Sequence, residues 1–94
     1  MIRRETDCLR IEGEVTLEQV GRLHEEGRRL IEAGATRVDM SGVTSADSGA
    51  LALLLGWMRE CRRTGRRLTV VNLAPGLDSL AKLYGVDEFL QSKP

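Results

Sequence analysis

Val38-Asp39-Met40-Ser41-Gly42-Val43-Thr44-Ser45-Ala46-Asp47-Ser48-Gly49-Ala50-Leu51-Ala52-Leu53-Leu54-Leu55-Gly56-Trp57-Met58-Arg59-Glu60-Cys61 is the stretch that decides the fold. A short β-favouring run passes through small polar residues into a long apolar run at helical spacing, with Asp47-Ser48-Gly49 at the junction. Thr36 to Met40 reads as a central strand of an α/β sheet, because it is brief and flanked by helical patterns. Ser41-Gly42 is expected to break that strand. Asp47 or Ser48 can cap the following helix, about Ser48 to Thr64, leaving first-turn amides near Gly49 and Ala50 exposed at the positive end of its dipole. Such an end favours a carboxylate or phosphate, and it serves equally well as a plain N-cap.

This helix carries more apolar surface than a sheet requires. At 100° per residue, Leu51, Leu54, Leu55, Met58 and Cys61 already form a sufficient core stripe, yet Ala50, Leu53 and Trp57 widen the apolar arc to about half the cylinder or more. Leu53 and Trp57 are i,i+4 neighbours on the flank of the capped end. Either another helix covers them or they form an interaction surface, and the expectation is an exposed hot spot beside Asp47, Ser48, Gly49 and Ala50.

Outward from this stretch the chain alternates element types. Leu9 and Ile11 alternate with Arg10 and Glu12, the period of a strand with one covered face, and Thr6-Asp7 supplies a turn from a shorter strand near Ile2. Thr16 and Gln19 have capping-box spacing, so a helix is expected from Leu17, with Leu17, Val20, Leu23, His24, Gly27, Leu30 and Ile31 on one face. Glu18/Arg22 and Glu25/Arg29 stand at supportive i,i+4 spacing, and Gly34 stops the helix as a left-handed cap. His24 is expected to pack rather than act as a base, since no Ser, Cys or carboxylate has a motif pointing to it. Beyond the Gly65 turn, Leu68 to Leu73 reads as a buried strand. Pro75 is expected in the first turn of a short helix, with Leu77, Leu80, Ala81 and Tyr84 on one face and Gly85 ending it. Val86, Phe89 and Leu90 should tuck against the body, and Gln91 to Pro94 should fray.

Ninety-four residues make one domain, 1–94, of ordinary soluble composition: 41% hydrophobic and 30% charged. A formal net charge of zero gives no reason to expect nucleic acid or an acidic membrane as partner. The five arginines Arg59, Arg62, Arg63, Arg66 and Arg67 are explained by the helix dipole and a solvated face, without aromatic residues between them to make a nucleic-acid platform. Cys8 and Cys61 suit free thiols in a reducing compartment, and with His24 the only histidine they lack metal-ligand company. The longest apolar run, Ala50 to Leu55, is too short to span a bilayer. No metal, no cofactor and no catalytic constellation is expected, because Asp39, Asp47 and Ser48 lack a base, a metal cluster or a glycine-rich phosphate loop.

The order strand, helix, strand, Asp-Ser-Gly junction, helix, strand, helix resembles the STAS domain, shared by anti-sigma factor antagonists and the cytoplasmic tails of sulfate transporters. The anchors are Asp39-Met40-Ser41, Asp47-Ser48-Gly49, Leu51 to Gly56 and Gly65-Arg66-Arg67-Leu68. Asp47-Ser48-Gly49-Ala50-Leu51-Ala52-Leu53-Leu54-Leu55 and Ser79-Leu80-Ala81-Lys82-Leu83-Tyr84-Gly85 are most similar to the MlaB-like branch, the STAS subunits of bacterial phospholipid-trafficking ABC transporters. The resemblance implies a small mixed α/β sheet of about four strands with three to four helices. It also implies a non-enzymatic cytoplasmic subunit that docks on the transporter's MlaF-like ATPase, peripheral to the inner membrane and without inserting into it. In that branch the position of Ser48 lies at the ATPase contact. Antagonists instead read Asp-Ser-Ser/Thr-Gly-Leu and are phosphorylated on the second hydroxyl; registered on Leu51, Gly49 occupies that position. Sliding the alignment by one residue makes Ser48 the acceptor at the expense of the Leu51, Leu54, Leu55 and Gly56 match, and the alternative is then an anti-sigma factor antagonist with Ser48 as a regulatory phosphorylation site.

Overall fold

The computed structural model describes residues 1–90, without the side chains of Phe89 and Leu90. The expected packing of those two side chains and the fraying of Gln91 to Pro94 lie outside the described residues. The elements in order are β1 (Ile2–Glu5), β2 (Cys8–Val15), α1 (Val20–Glu32), β3 (Arg37–Ala46), α2 (Ser48–Arg63), β4 (Thr69–Val71), α3 (Leu77–Leu83) and the single turn α4 (Asp87–Leu90). The strands lie side by side as β1-β2-β3-β4. β1 and β2 form an antiparallel hairpin, whereas β2/β3 and β3/β4 pair in parallel through the helical crossovers.

Alternation decides which sheet face is covered. Leu9, Ile11, Val38, Met40 and Val70 are buried, while Arg10, Glu12, Asp39 and Thr69 on the opposite face are polar and only partly buried. The helices therefore cover one side of the sheet, and the other carries ion pairs such as Arg10–Glu12 and Arg10–Asp39.

Ser41-Gly42 does not end β3, which continues to Ala46. The register shifts twice, Arg10↔Asp39 to Glu12↔Gly42 and Gly13↔Val43 to Glu14↔Ser45, so β3 accommodates an extra residue at each step. Glycine relieves crowding at the first bulge, since a Cβ at Gly42 would lie 2.9 Å from Glu12 Cγ and 3.0 Å from the Ile11 carbonyl oxygen. The bulges carry Ala46 to a position opposite Val15. The loop after β2 and the start of α2 consequently meet at the same end of the sheet.

α1 begins at Val20 rather than Leu17. The Thr16–Gln19 segment closes as a turn, with Gln19 N–H donating to the Thr16 carbonyl at 2.9 Å and Gln19 Oε1 accepting from Thr16 N–H at 3.0 Å. The reach-back half of the capping box thus forms, but the helix starts after it. Leu17 stays outside, 66% exposed. Arg22 pairs with Glu26 instead of Glu18, while Glu25/Arg29 forms as expected. Gly34, at φ 116°, lets the Ala35 N–H reach back to Leu30 in a left-handed cap.

The C-terminal part is shorter than its pattern suggests. β4 spans three residues, and Leu68 is buried ahead of it. Pro75 precedes α3: Leu77 N–H donates to Ala74 across a turn in which Gly76 takes φ 87°, the proline-glycine order of a type II turn. Tyr84 is the C-cap of α3 and is 57% exposed, so it does not continue the face of Leu77 and Ala81.

Candidate functional site

Asp47 organises the junction between β3 and α2. Its Oδ1 accepts the Gly49 N–H at 2.7 Å and its Oδ2 accepts the Leu17 N–H at 3.3 Å. Its own N–H donates to Val15, and its carbonyl takes the Ala50 N–H. One side chain thereby caps α2 and ties down the loop that leads into α1. Gly49 and Ala50 are buried, with their amides occupied in this way, so the first turn offers no open cradle for an anion. The expectation of exposed amides is corrected by that capping geometry.

Gly49 makes the close approach possible. A Cβ at this position would lie 2.7 Å from Leu17 N, 2.9 Å from Leu17 Cα and 2.9 Å from Asp47 Oδ1. Two pieces of backbone are in contact there. Ser48, the first residue of α2, is only half-buried, and among the described residues its hydroxyl has no hydrogen-bond partner. Leu17 is exposed beside this junction, and Ala52 is exposed one turn along α2.

Leu53 and Trp57 are not on this surface. Both are fully buried, and the expected exposed flank does not exist. The Trp57 indole packs against α1 where Gly27 leaves room, since a Cβ at Gly27 would fall 2.1 Å from Trp57 Cζ2. Its Nε1–H donates to the His24 carbonyl at 3.0 Å, which satisfies the one polar atom of the ring. Reciprocally, His24 fills the space over Gly56, whose Cβ would lie 2.9 Å from His24 Nε2. The wide apolar arc of α2 serves α1 and α3 as well as the sheet. His24 is a packing residue, as its surroundings in the sequence suggest.

The remaining polar groups have structural explanations. Hydrogen bonds from Asn72 Nδ2 at 3.0 Å and Ser41 N–H at 2.9 Å hold Asp39 below the usual carboxylate range, with Arg10 assisting. Asp39 thus joins β3 to the chain leaving β4. Because its folded pKa is depressed, its contribution to stability is present above the unfolded value of about 3.9 and is lost as pH falls through the lower folded value. Asn72→Ala is expected to raise the Asp39 pKa in a carboxyl-carbon NMR titration and to narrow the acid range over which stability holds. Cys61 is buried and Cys8 half-buried; burial raises both thiols, with Asp39 adding to the effect at Cys8. Among the described residues no group of three or more His, Cys, Asp or Glu side chains is placed to hold a metal ion.

A profile of MlaB-type STAS domains matches residues 1–92. The chain belongs to the MlaB STAS-domain family. The protein named "Intermembrane phospholipid transport system binding protein MlaB" in Escherichia coli (strain K12) is 31% identical to this STAS chain over 80 residues, which are 85% of this chain and 81% of that protein. The Shigella flexneri protein of the same name matches to the same extent. Among solved structures, the anti-sigma factor antagonist SpoIIAA in its unphosphorylated form superposes with a TM-score of 0.71 at 21% identity, covering 100% of this chain and 87% of that one. A putative anti-sigma factor antagonist from Thermotoga maritima gives 0.74 at 14% identity, covering 97% and 82%. These two likenesses establish the STAS fold. Among the described residues no helix is long and apolar enough to cross a membrane.

Of the six residues singled out from the STAS sequence, Asp47, Ser48, Gly49 and Ala50 come together at the start of α2, and only the first two reach the surface. Sequence reasoning missed Leu17 and Ala52. Periodicity alone places Leu17 on the buried face, because it starts the helix three residues early. No local signal marks the later start, because the partner that holds the Leu17 backbone, Asp47, is thirty residues away in the chain.

Proposed function

We propose that this chain is a non-enzymatic STAS subunit, one domain over residues 1–94, that binds the ATPase of a bacterial phospholipid-transporting ABC complex and stabilises or regulates it. It acts from the cytoplasmic side and reaches the inner membrane through its partner. Family membership and the names of the two relatives support the transport setting. The observation that carries the docking reading is the Ser48 hydroxyl, without a hydrogen-bond partner among the described residues, at the accessible start of α2 near exposed Leu17 and Ala52, on a backbone held by Asp47. Small side chains there let another backbone approach closely, and Leu17 supplies apolar contact.

Ser48→Asp tests it. A carboxylate is favourable in the first turn of a helix, so the fold should survive. In a complex, an unpaired charge would be desolvated, and binding to the cognate ATPase should weaken at least roughly tenfold by calorimetry. Unchanged affinity would remove Ser48 from the interface. A second reading, partner switching through phosphorylation of Ser48, has the same accessible hydroxyl behind it. It predicts phosphate incorporation at Ser48 with ATP and a cognate kinase, whereas the docking reading predicts none.

A further inference from the structure

The accessible face of α2 continues beyond Ser48. Ser48, Ala52, Leu55, Arg59 and Arg62 follow one another at steps of four and three residues, which keeps them within an arc of about 80° along about 21 Å of helix. Ala52, Arg59 and Arg62 are exposed, and Ser48 and Leu55 are half-buried. At the far end of this line lies an open groove of about 230 Å³ lined, among the described residues, by Leu55, Met58, Arg59, Arg62 and Val86. Its floor is apolar and its rim cationic.

The neighbouring arginines are mostly held: Arg63 pairs with Glu60, and Arg66 donates to the Thr64 hydroxyl and the Ile31 carbonyl. Among the described residues Arg59 and Arg62 have no ion-pair partner, although both flank an apolar depression. A groove of this size is below the roughly 300–1,000 Å³ of sites that enclose small ligands, so an acyl chain or cofactor would remain mostly in water. It suits one apolar side chain flanked by one or two carboxylates.

We infer that the α2 docking surface extends from Ser48 to Arg62 and that its far end receives an acidic, apolar-anchored polypeptide segment of the partner protein, with Arg59 and Arg62 pairing its carboxylates. This rests on the ATPase-docking reading above and names the chemistry the partner must present. The occupant is chosen by charge complementarity and by continuity of the groove with the Ser48 surface. Rim charges of this kind act mainly on encounter rate and salt dependence.

The test uses the full-length chain and the purified ATPase of the cognate transporter, with affinity measured at low and at moderate salt. R59E/R62E should bind roughly tenfold or more weakly at low salt, with the salt dependence seen in the wild type lost or reversed. Leu55→Asp should weaken binding at both salt concentrations. Far-UV circular dichroism and thermal melting should show both variants folded, since Arg59 and Arg62 are exposed and Leu55 sits half-exposed at the edge of the core, where Leu55→Asp lowers the melting temperature without unfolding the chain. If the wild type fails to bind, the docking reading falls and this inference with it. If Ser48→Asp abolishes binding while R59E/R62E binds like the wild type with the same salt slope, only the extended surface is overturned. Cosedimentation with phosphatidylglycerol vesicles is the remaining arm: wild-type binding lost in R59E/R62E, with ATPase affinity unchanged, would assign the arginines to a lipid headgroup and overturn the polypeptide assignment.

Discussion

Gly27→Ala is expected to destabilise the wild-type chain and to stabilise a chain that already carries Trp57→Ala. In the wild type the new methyl would sit 2.1 Å from Trp57 Cζ2 and 2.2 Å from Cε2, a distance no rotamer adjustment of the methyl can relieve. The indole is fully buried between α1 and α2 and anchored by its hydrogen bond to the His24 carbonyl. Overpacking of this kind costs about 1–3 kcal/mol, at the upper end where a rigid ring must move. Trp57→Ala alone should cost about 3–5 kcal/mol through lost burial and the cavity that remains. In that background the methyl added at position 27 has room, and replacing a mid-helix glycine gains roughly 0.5–1 kcal/mol. The same substitution thus changes sign with its neighbour, giving a coupling on the order of 2–4 kcal/mol. Urea denaturation of the four chains measures it, and equal effects of Gly27→Ala in both backgrounds would show that the ring does not rest on this glycine. At roughly 4–8 °C per kcal/mol for a chain of this size, the difference is also visible in thermal melts.

Trp57 shows where sequence legibility ends. Its position on the α2 helix, the limits of that helix and the Asp47 cap follow from periodicity and local hydrogen-bonding chemistry, which depend on residues near in sequence. The parallel pairing of β2, β3 and β4 follows from strand-helix alternation, which leaves few topologies open. The neighbour that covers Trp57 is thirty residues away in the chain and announces itself only as a missing side chain, Gly27 in the middle of an amphipathic stripe. Glycine at such a position reads equally as a weak point in a helix or as a seat for a ring. The true length of β3 is hidden for a similar reason: Ser41-Gly42 has the composition of a break, but the contact of Gly42 with Glu12 and Ile11 makes it a bulge within a longer strand. At the candidate site the polar residues Asp47 and Ser48 are readable from the junction. Leu17 is not, because its exposure follows from the Thr16–Gln19 turn ahead of α1 and from the contact of its backbone with Asp47, thirty residues away.

Gly49→Ala should be more damaging than its size suggests, lowering stability by about 2–4 kcal/mol. Gly21 supplies the comparison: it also lies in a helix, a Cβ there meets nothing within 4 Å, and Gly21→Ala should gain roughly 0.5–1 kcal/mol. At Gly49 the atoms in the way are Leu17 N, Leu17 Cα and Asp47 Oδ1. Main chain cannot rotate aside as a flexible side chain can, so the loop before α1 must move away from α2, and the Leu17 N–H to Asp47 bond must lengthen or break. This distinguishes the site from the Gly27 contact, where removing one ring relieves the strain. Leu17→Ala, which shortens an exposed side chain and leaves the contacted backbone in place, should not rescue Gly49→Ala; recovery of the melting temperature in that double variant would refute the backbone contact. Gly49→Ser, which writes the Asp-Ser-Ser pattern of the antagonists into this chain, meets the same obstacle and should be destabilised to a similar degree. Because Leu17 and Ser48 are held on either side of this contact, Gly49→Ala should also weaken ATPase binding at temperatures where the chain is still folded. If the docking proposal holds, stability and docking are linked through this one position.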